Sequence, residues 1–357
     1  MSISELLAAT NETLFEGSFS AQVQKCTEKE TKSGKPYLEW DLADATGLIT
    51  LKIWNNHPQF HSAAETAPET FLQFSGQWTQ NKYGVDGKGW KFRVLTNEEK
   101  SEFLAGDPAT REKQNSDWAD IVAFLSQIDD PRLKALCNEF VKQFEDRFRR
   151  TGAARKNHHA RRGGLVEHVA QMMRSANAIC GVYPGLNRDL MISGVLFHDC
   201  GKLWENTYPE AGFSQLNLIH GEMLGHIPLG LELVNKLWRD LPLESWREIE
   251  PVNEDVRLHL LHLIASHHGQ YDFGSPTLPR TPEAYALHYV DNLDAKLEMV
   301  KDAYASANET APGIFERKFP LSAPLVTPLP SVAETEVAET EEDKADWNSS
   351  PSSKELF

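Results

Sequence analysis

Histidine and aspartate residues are concentrated in the second half of this 357-residue chain, in spacings that suit a metal centre. Eleven of the thirteen histidines lie beyond residue 150. In the segment GVLFHDCGK, residues 194–202, an apolar run ends directly in His198 and Asp199. Neighbouring residues point about 100° apart on a helix. Both can therefore reach one ion near a helix end, where Gly201 is a reasonable terminator.

A metal centre built from helices draws its ligands from several elements, and this half of the chain offers many. In order, they are His158, His159, His168, His198, Asp199, His220, His226, His259, His262, His267, His268, His288 and Asp291. Imidazole with carboxylate suits Mn²⁺, Fe²⁺, Ni²⁺ or Zn²⁺ better than Mg²⁺. A lone His-Asp pair, taken by itself, is more typical of a polar helix end with a buried histidine. Asp294, three residues after Asp291, is an alternative ligand on the same side of a helix.

A basic run precedes this region and suggests a phosphate-binding surface. Seven cations between residues 147 and 162 have no acidic residue among them: Arg147, Arg149, Arg150, Arg155, Lys156, Arg161 and Arg162. A local positive feature of this kind attracts a phosphate backbone. We therefore expect His158, His159, Arg161 and Arg162 to bind substrate from a loop, although His158 and His159 also fit an ordinary solvated loop. Arg280 is a further substrate candidate, beyond a turn in YDFGSP.

The segments that must position these residues are helical. From Asp117 onward, apolar residues recur with a period near 3.6, which predicts an all-α domain over 117–307. Pro131 and Pro282 stand where helices begin, as proline tolerates. The polar residues 101–116 are predicted to be a linker. Residues 308–357 turn to Pro, Ser, Thr and Glu, which predicts a disordered acidic tail.

Residues 1–100 have a different pattern, that of a small β-barrel. Five short segments rich in β-branched and aromatic residues are separated by turn signals, KSGKP, DATG and KYGVDGKG. A polar stretch between the third and fourth segments has room for a short helix. Five strands with a helix in that place are the order of an OB-fold. The predicted fold class is thus multidomain α+β: a five-stranded OB-fold barrel, an all-α domain and the tail.

Composition narrows the environment of the protein. The net charge is −16, of which the eight acidic residues and two lysines of 331–357 contribute −6. The acidic body argues weakly against a protein coated in nucleic acid, but a confined basic groove remains compatible with it. The four cysteines form no CxxC pair, and the start of the chain shows no basic-then-apolar leader. A cytoplasmic protein without a membrane span is the expectation.

The order His … His-Asp … Asp, in GGLVEH, FHDCGK and HYVDNLDAK, resembles the HD-domain phosphohydrolase superfamily. The resemblance implies that His168, His198, Asp199 and Asp291 hold a catalytic metal and that Lys202 lies near the substrate phosphate. It also favours Asp291 over Asp294 as the ligand.

Two further segments, GHIPLG and SHHGQYDFGSP, resemble those that carry second-metal ligands in two-metal HD enzymes. They would add His226, His267 and His268, with Asp199 as a bridge. The GYP tripeptide of the HD-GYP phosphodiesterases is absent, and Gly164 stands where those enzymes can carry a glutamate ligand. A cyclic-dinucleotide esterase is therefore disfavoured.

Taken together, the barrel and these segments are similar to the YhaM-type 3′–5′ exoribonucleases. That resemblance implies metal-dependent hydrolysis of single-stranded RNA to nucleoside 5′-monophosphates, with Asp199 and Lys202 as catalytic residues. Single-stranded DNA is a second candidate substrate. One or two ions are expected, with Mn²⁺ first and Ni²⁺, Fe²⁺ and Zn²⁺ also compatible. A homo-oligomer is plausible on the same ground.

The barrel explains the class of substrate, because OB-folds stack single-stranded bases on aromatic side chains over a positive groove. Most of its aromatic residues must fill the core, and we expect two at the surface. The candidates are Tyr37, Trp40, Trp54, Trp78, Tyr83, Trp90 and Phe92, with Lys32, Lys35, Lys52, Lys82, Lys88 and Lys91 as phosphate contacts. Two alternatives remain. One is an HD nucleotide or cyclic-nucleotide phosphohydrolase with a regulatory barrel. The other is a non-catalytic single-strand-binding protein.

Overall fold

The computed structural model describes residues 1–10, 14–31, 33–81, 84–155, 159–213, 215–216 and 218–330. Residues Met1–Glu298 form one compact unit, and Met299–Phe357 form another. The first unit contains both the barrel and the helices that carry the candidate metal ligands. No helix within the described ranges is both long and apolar enough to cross a membrane.

The N-terminal part is a five-stranded antiparallel sheet preceded by a short helix. The elements are α1 (Ile3–Ala9), β1 (Phe15–Glu30), β2 (Pro36–Ala43), β3 (Leu48–Trp54), α2 (Phe60–Ala64), β4 (Phe71–Asn81) and β5 (Gly84–Val94). The strand order β3-β2-β1-β4-β5 and the helix between β3 and β4 confirm the predicted OB-like fold. Inside, Trp40, Trp78 and Trp90 are buried, so most of the aromatic residues do fill the core.

The helical part positions the candidate metal ligands. Its helices are α3 (Asn97–Ala105), α4 (Pro108–Ser126), α5 (Pro131–Arg150), α6 (Gly164–Val182), α7 (Arg188–Phe197), α8 (Lys202–Glu205), α9 (Ile219–Leu224), α10 (His226–Arg239), α11 (Asn253–Ser266) and α12 (Pro282–Ser306). One apolar core joins α4–α8 and α10–α12, from Trp118 on α4 to Val290 on α12. The all-α prediction is confirmed. Asp130 caps α5, and its carboxylate accepts hydrogen bonds from the first turn.

At two places the structure differs from the predictions, and at a third it adds a helix that the sequence analysis did not predict. Residues 101–116, expected to be a linker, belong mostly to α3 and α4, which Thr96 and Asp107 cap. The start of the chain forms α1, because Ser2 and Glu5 make a capping box. The expected disordered tail is ordered at its start, where Glu309–Ala311 (β6) pairs with Ile314–Phe315 (β7). Residues 331–357 lie outside the described residues.

Candidate metal centre

Two glycines let the elements of the centre approach one another closely. A Cβ on Gly164, the first residue of α6, would lie 2.0 Å from the carbonyl oxygen of His159. A Cβ on Gly201, just before α8, would lie 1.9 Å from the carbonyl oxygen of His226. Real side chains cannot occupy such positions, so only glycine allows these contacts. The GG pair of the sequence thus brings backbone against backbone at the start of the helix that carries His168.

Four of the predicted ligands meet in one buried cluster. His198 follows the last residue of α7, and its Nε2 lies 3.2 Å from Asp199 Oδ2. His168 Nε2 lies 3.4 Å from Asp291 Oδ1 and 3.8 Å from Asp199 Oδ2. His168, His198 and Asp291 are close enough together to hold one ion. Ligand atoms about 2.0–2.2 Å from a common cation stand at such separations from one another.

A second cluster shares Asp199 with the first. The Nε2 atoms of His226 and His267 each lie 3.6 Å from Asp199 Oδ1, the other oxygen of the same carboxylate. His226 Nε2 also lies 3.3 Å from His268 Nε2. These three imidazoles form a separate group that can hold an ion. Asp199 therefore has the position expected of a bridge between two ions.

All five imidazoles are oriented in the same way. Each Nδ1 has an acceptor: Asp294 for His168 (2.6 Å), the Val195 carbonyl for His198 (2.8 Å), Glu205 for His226 (2.7 Å), the Ile264 carbonyl for His267 (2.8 Å) and the Phe273 carbonyl for His268 (2.6 Å). When Nδ1 donates its hydrogen, the Nε2 lone pair is available. This is the arrangement by which outer partners orient metal-ligating histidines.

Three inward-facing atoms support a cation at this place. His198 Nε2, His267 Nε2 and Asp199 Oδ1 are buried and have no hydrogen-bond partner among the described residues. Leaving such groups unpaired costs roughly 1–3 kcal/mol each. A divalent ion bound by these atoms would satisfy all three, so the residues fit the metal that an HD site requires.

The charge states also suit a cation. Burial opposes ionisation of Asp199, yet Lys202 and His198 hold the pKa of its carboxyl well below the usual range. Burial, with His198 and His268 nearby, lowers the pKa of His267 and keeps that imidazole neutral. Burial also opposes protonation of His168, but hydrogen bonds with Asp291 and Asp294 raise its pKa to about 9. A cation on Nε2 would meet the same negative environment that favours this proton.

Asp294 lies behind His168 and not beside the shared Asp199. Its Oδ2 accepts a hydrogen bond from His168 Nδ1 at 2.6 Å and contacts His159 Nε2 at 3.1 Å. These three residues are also close enough to hold an ion. The two separations are ordinary hydrogen-bond lengths. We therefore assign Asp294 to the orientation of His168 and leave Asp291 to face the cluster.

His159 is not where the sequence suggested. It was expected on a substrate-binding loop, but it is buried, with only 5% of its surface exposed. Its Nε2 contacts Asp294, and its Nδ1 lies 3.7 Å from Glu298 and 3.9 Å from Glu167. His159 therefore packs behind the centre, where it serves as a partner for the carboxylates of Asp294, Glu298 and Glu167. His158 lies outside the described residues.

The two arginines of the same motif also have partners inside the protein. Arg161 forms ion pairs with Glu167 and Glu298, both nearly buried. Arg162 donates to the carbonyl oxygens of Pro209 at 2.5 Å, Glu210 at 2.9 Å and Gly212 at 3.2 Å. The predicted substrate role of these two guanidinium groups is thus not supported by their contacts. Buried carboxylates and loop carbonyls take up their hydrogen-bonding capacity.

Other cations of the basic run are used similarly. Arg150 donates to the Tyr208 carbonyl, Arg149 pairs with Glu145, and Arg155 pairs with Glu222. Arg280 is exposed on the segment before α12, and its backbone amide donates to His262 Nε2. The arginines of the run that the structure describes therefore stabilise this part of the fold, and Lys156 lies outside the described residues.

Lys202 lies at the edge of the shared carboxylate. Its Nζ is 2.5 Å from Asp199 Oδ2, and the residue is only 8% exposed. Burial of an ammonium group is favourable only beside a counter-charge. Sequence reasoning placed Lys202 near this centre, but the outer partners Asp294 and Glu205 were missed as orienting groups. Asp294 was visible as a rival ligand, whereas Glu205 has no motif to mark it.

On the barrel, strands β3 and β5 and the loop after β3 line a cavity of about 610 Å³. The lining includes Lys52, Trp54, His57, Lys88 and Lys91. Trp54 is 43% exposed, and its ring lies 5.1 Å from that of Tyr37. These two rings fit the pair of surface aromatics expected from the sequence. Lys32, Lys82 and Tyr83 lie outside the described residues.

Comparisons with known proteins agree with this geometry. Residues 165–296 match the model of the HD domain family. The chain is 32% identical over 299 residues to "3'-5' exoribonuclease YhaM" of Geobacillus sp. (strain WCH70), covering 83% of this chain and 86% of the relative. It is 31% identical to the protein of that name from Oceanobacillus iheyensis, over 83% and 89% of the two chains.

A chain in the solved structure "Structure and Conformational Change of a Replication Protein A Heterotrimer Bound to ssDNA" has 14% identity to this one. It aligns over 29% of this chain and 84% of its own, with a TM-score of 0.22, which is too low to support an inference. The two long alignments, which span both the barrel and the helices, are decisive. The chain belongs to the YhaM family of 3′–5′ exoribonucleases.

Proposed function

We propose that the protein is a metal-dependent 3′–5′ exoribonuclease that hydrolyses single-stranded RNA to nucleoside 5′-monophosphates. The observation that carries the proposal is the convergence of four oriented imidazoles on the two oxygens of Asp199, with a fifth, His268, beside His226. The names of the two relatives supply the reaction and its direction. A small-molecule phosphohydrolase would have no need of the aromatic and lysine-lined groove on the barrel.

In this proposal His168, His198, Asp199 and Asp291 would hold one ion, and His226, His267 and His268 would hold another, with Asp199 shared by the two sets. A divalent metal bound there lowers the pKa of water and withdraws charge from phosphoryl oxygens. Mn²⁺ is the first candidate, because imidazole and carboxylate ligands together suit it, as they do Ni²⁺, Fe²⁺ and Zn²⁺.

The chain's own residues bind and orient the substrate. Lys202, held by Asp199, offers an ammonium group to a phosphate oxygen at the edge of the centre. On the barrel, Trp54 and Tyr37 present aromatic faces to bases, and Lys52, Lys88 and Lys91 face the phosphates. Arg280, exposed before α12, is a further contact for the strand. Single-stranded DNA would fit the same features. We also propose a cytoplasmic location, from the four scattered cysteines, and self-association, from the family resemblance.

The test is degradation of 5′-labelled and 3′-labelled single-stranded RNA with Mn²⁺, with and without a chelator. A ladder that shortens from the 3′ end with the first label, and immediate release of labelled mononucleotide with the second, are expected. An Asp199→Asn variant should leave both RNAs intact. Gel retardation without cleavage would favour the non-catalytic alternative. Intact RNA with hydrolysed mononucleotide would favour the small-molecule phosphohydrolase.

A further inference from the structure

Phe213, in the loop between α8 and α9, packs against residues of the barrel and of α3. Phe213 is 6% exposed, and its ring centroid lies 5.1 Å from that of Phe103 and 6.5 Å from that of Phe71. Both ring pairs are edge-to-face, with interplanar angles of 71° and 74°, within the favourable range for aromatic pairs. The backbone amide of Phe213 donates to Gln22 Oε1 on β1 at 3.0 Å. We call Phe71, Phe103 and Phe213 the aromatic latch.

The loop that carries Phe213 is fixed from its other side by Arg162. That guanidinium donates to three carbonyl oxygens of the loop, at Pro209, Glu210 and Gly212. In sequence, Arg162 directly precedes the two glycines that begin α6, the helix of His168. A chain of contacts therefore leads from the barrel, through Phe213 and Arg162, to the helix that carries a candidate metal ligand.

The covalent connection between the two parts is slender. Helix α3, which contributes Phe103, ends at Gly106 with φ +73°, and α4 begins two residues later. Parts of a chain joined by small interfaces move relative to one another unless an apolar contact holds them. The latch, with Ala43 buried beside it and Leu104 packed against it, is such a contact.

Resting on the proposed function, we propose that the aromatic latch holds the barrel in the orientation that lets one RNA strand reach both the groove and the metal centre. A tethered second site raises affinity only when both sites can be engaged at once. Phe213 and Arg162 are then positioning residues. Their effect should appear only with RNA long enough to span both sites.

The test compares Phe213→Ala with the unaltered protein on an RNA of about twenty nucleotides and on a dinucleotide. We expect KM for the long RNA to rise about tenfold or more, because simultaneous engagement is worth about 10²–10⁴ in affinity at its best. Values of kcat for the long RNA and kcat/KM for the dinucleotide should stay within about twofold. Equal losses on both substrates, or none on either, would overturn the proposal.

Two further variants keep the test sharp. Phe103→Ala should reproduce the effect, and the double variant should add little, since both changes break one contact. Phe144→Ala removes a half-buried ring elsewhere in the helical domain. It should change kcat/KM for the long RNA and for the dinucleotide by the same factor. A length-selective loss in Phe144→Ala would count against the latch.

Arg162→Ala separates the latch from direct binding of phosphate. Removal of a phosphate contact lowers the slope of log affinity against log salt by about 1. The latch predicts weaker binding of long RNA with that slope unchanged, and a lower slope would assign Arg162 to the substrate. Small-angle X-ray scattering tests the latch in the absence of RNA. Phe213→Ala should enlarge the radius of gyration, because the barrel is then no longer held against the helical domain. If the unaltered protein degrades no RNA, the proposed function fails, whereas unchanged scattering in Phe213→Ala refutes the latch itself.

Discussion

The clearest test of the metal centre is Asp294→Asn, which should weaken metal binding without removing a ligand. Asparagine has the same shape and keeps an oxygen that can accept from His168 Nδ1. It loses the charge, so the contacts of one oxygen with His168 at 2.6 Å and with His159 at 3.1 Å lose their charge assistance. The imidazole of His168 then becomes less basic and less firmly oriented.

The expected size follows from the place of this contact. Loss of an outer partner of a ligating histidine typically costs about 10–100-fold in metal affinity. Because asparagine keeps the accepting oxygen and loses only the charge, we expect a loss of about tenfold in metal affinity, or about 1.4 kcal/mol. Loss of a ligand is more severe, so Asp291→Asn should reduce affinity well beyond that of Asp294→Asn. The two variants thus resolve the choice between Asp291 and Asp294 that the sequence left open.

Isothermal titration of the metal-free protein with Mn²⁺ measures both affinity and the number of ions. Glu283→Gln is a matched control, since Glu283 is another buried carboxylate of α12. It accepts a hydrogen bond from the backbone N–H of Asn187, away from the centre. The variant should bind Mn²⁺ as the unaltered protein does. If Asp294→Asn loses a whole ion while Asp291→Asn is nearly normal, the cluster of His159, His168 and Asp294 is the true site and our assignment is wrong.

Three other changes have definite outcomes. Trp54→Ala should weaken binding of single-stranded RNA by about 1–3 kcal/mol in fluorescence anisotropy, with Trp54→Phe close to normal, and equal losses in both would argue against stacking. Chelation of the metal should lower the melting temperature, since an ion at 100 times its Kd stabilises the folded protein by about 2.7 kcal/mol. An unchanged melting temperature in calorimetry would contradict a metal site that exists only in the folded protein. Arg161→Ala should cost about 1.5–3 kcal/mol in urea unfolding, because Glu167 and Glu298 each lose a charged donor while Glu167 keeps its contacts with Lys113 and Gln114. The salt slope of RNA binding should stay the same, and a changed slope with normal stability would restore Arg161 to the substrate.

The arrangement of elements and the residues that meet at Asp199 could be predicted largely from the sequence. Runs of β-branched and aromatic residues between turn residues predict strands, and apolar residues recurring about every 3.6 positions predict helices. His198 and Asp199 are adjacent in the chain, so their proximity needs no tertiary information. The period also explains the error at 101–116, because α3 and α4 begin with polar, exposed turns that resemble a linker.

Partnerships between distant residues could not be predicted in this way. Nothing in HYVDNLDAK shows which aspartate faces the ions, since three residues along a helix leave both on one side. The structure separates them by what each contacts: Asp291 is near His168 Nε2, and Asp294 is near Nδ1 of the same ring. Likewise, the sequence shows that His159 and Arg161 are polar and near a glycine pair, but not that buried carboxylates from α6 and α12 surround them.

Arg161 and Arg162 of the basic run are paired inside the protein, so they are not available to attract RNA to a chain of net charge −16. Guanidinium groups already paired with buried carboxylates add little field outside the protein, because their charge is neutralised where it stands. Local attraction must then arise where cations border open space, as Lys88 and Lys91 do at the barrel groove. In the proposed function, capture on the barrel and hydrolysis at the HD centre are separate tasks at separate places. Arg162 holds the loop that carries Phe213, so under the latch proposal it would affect RNA degradation without touching RNA.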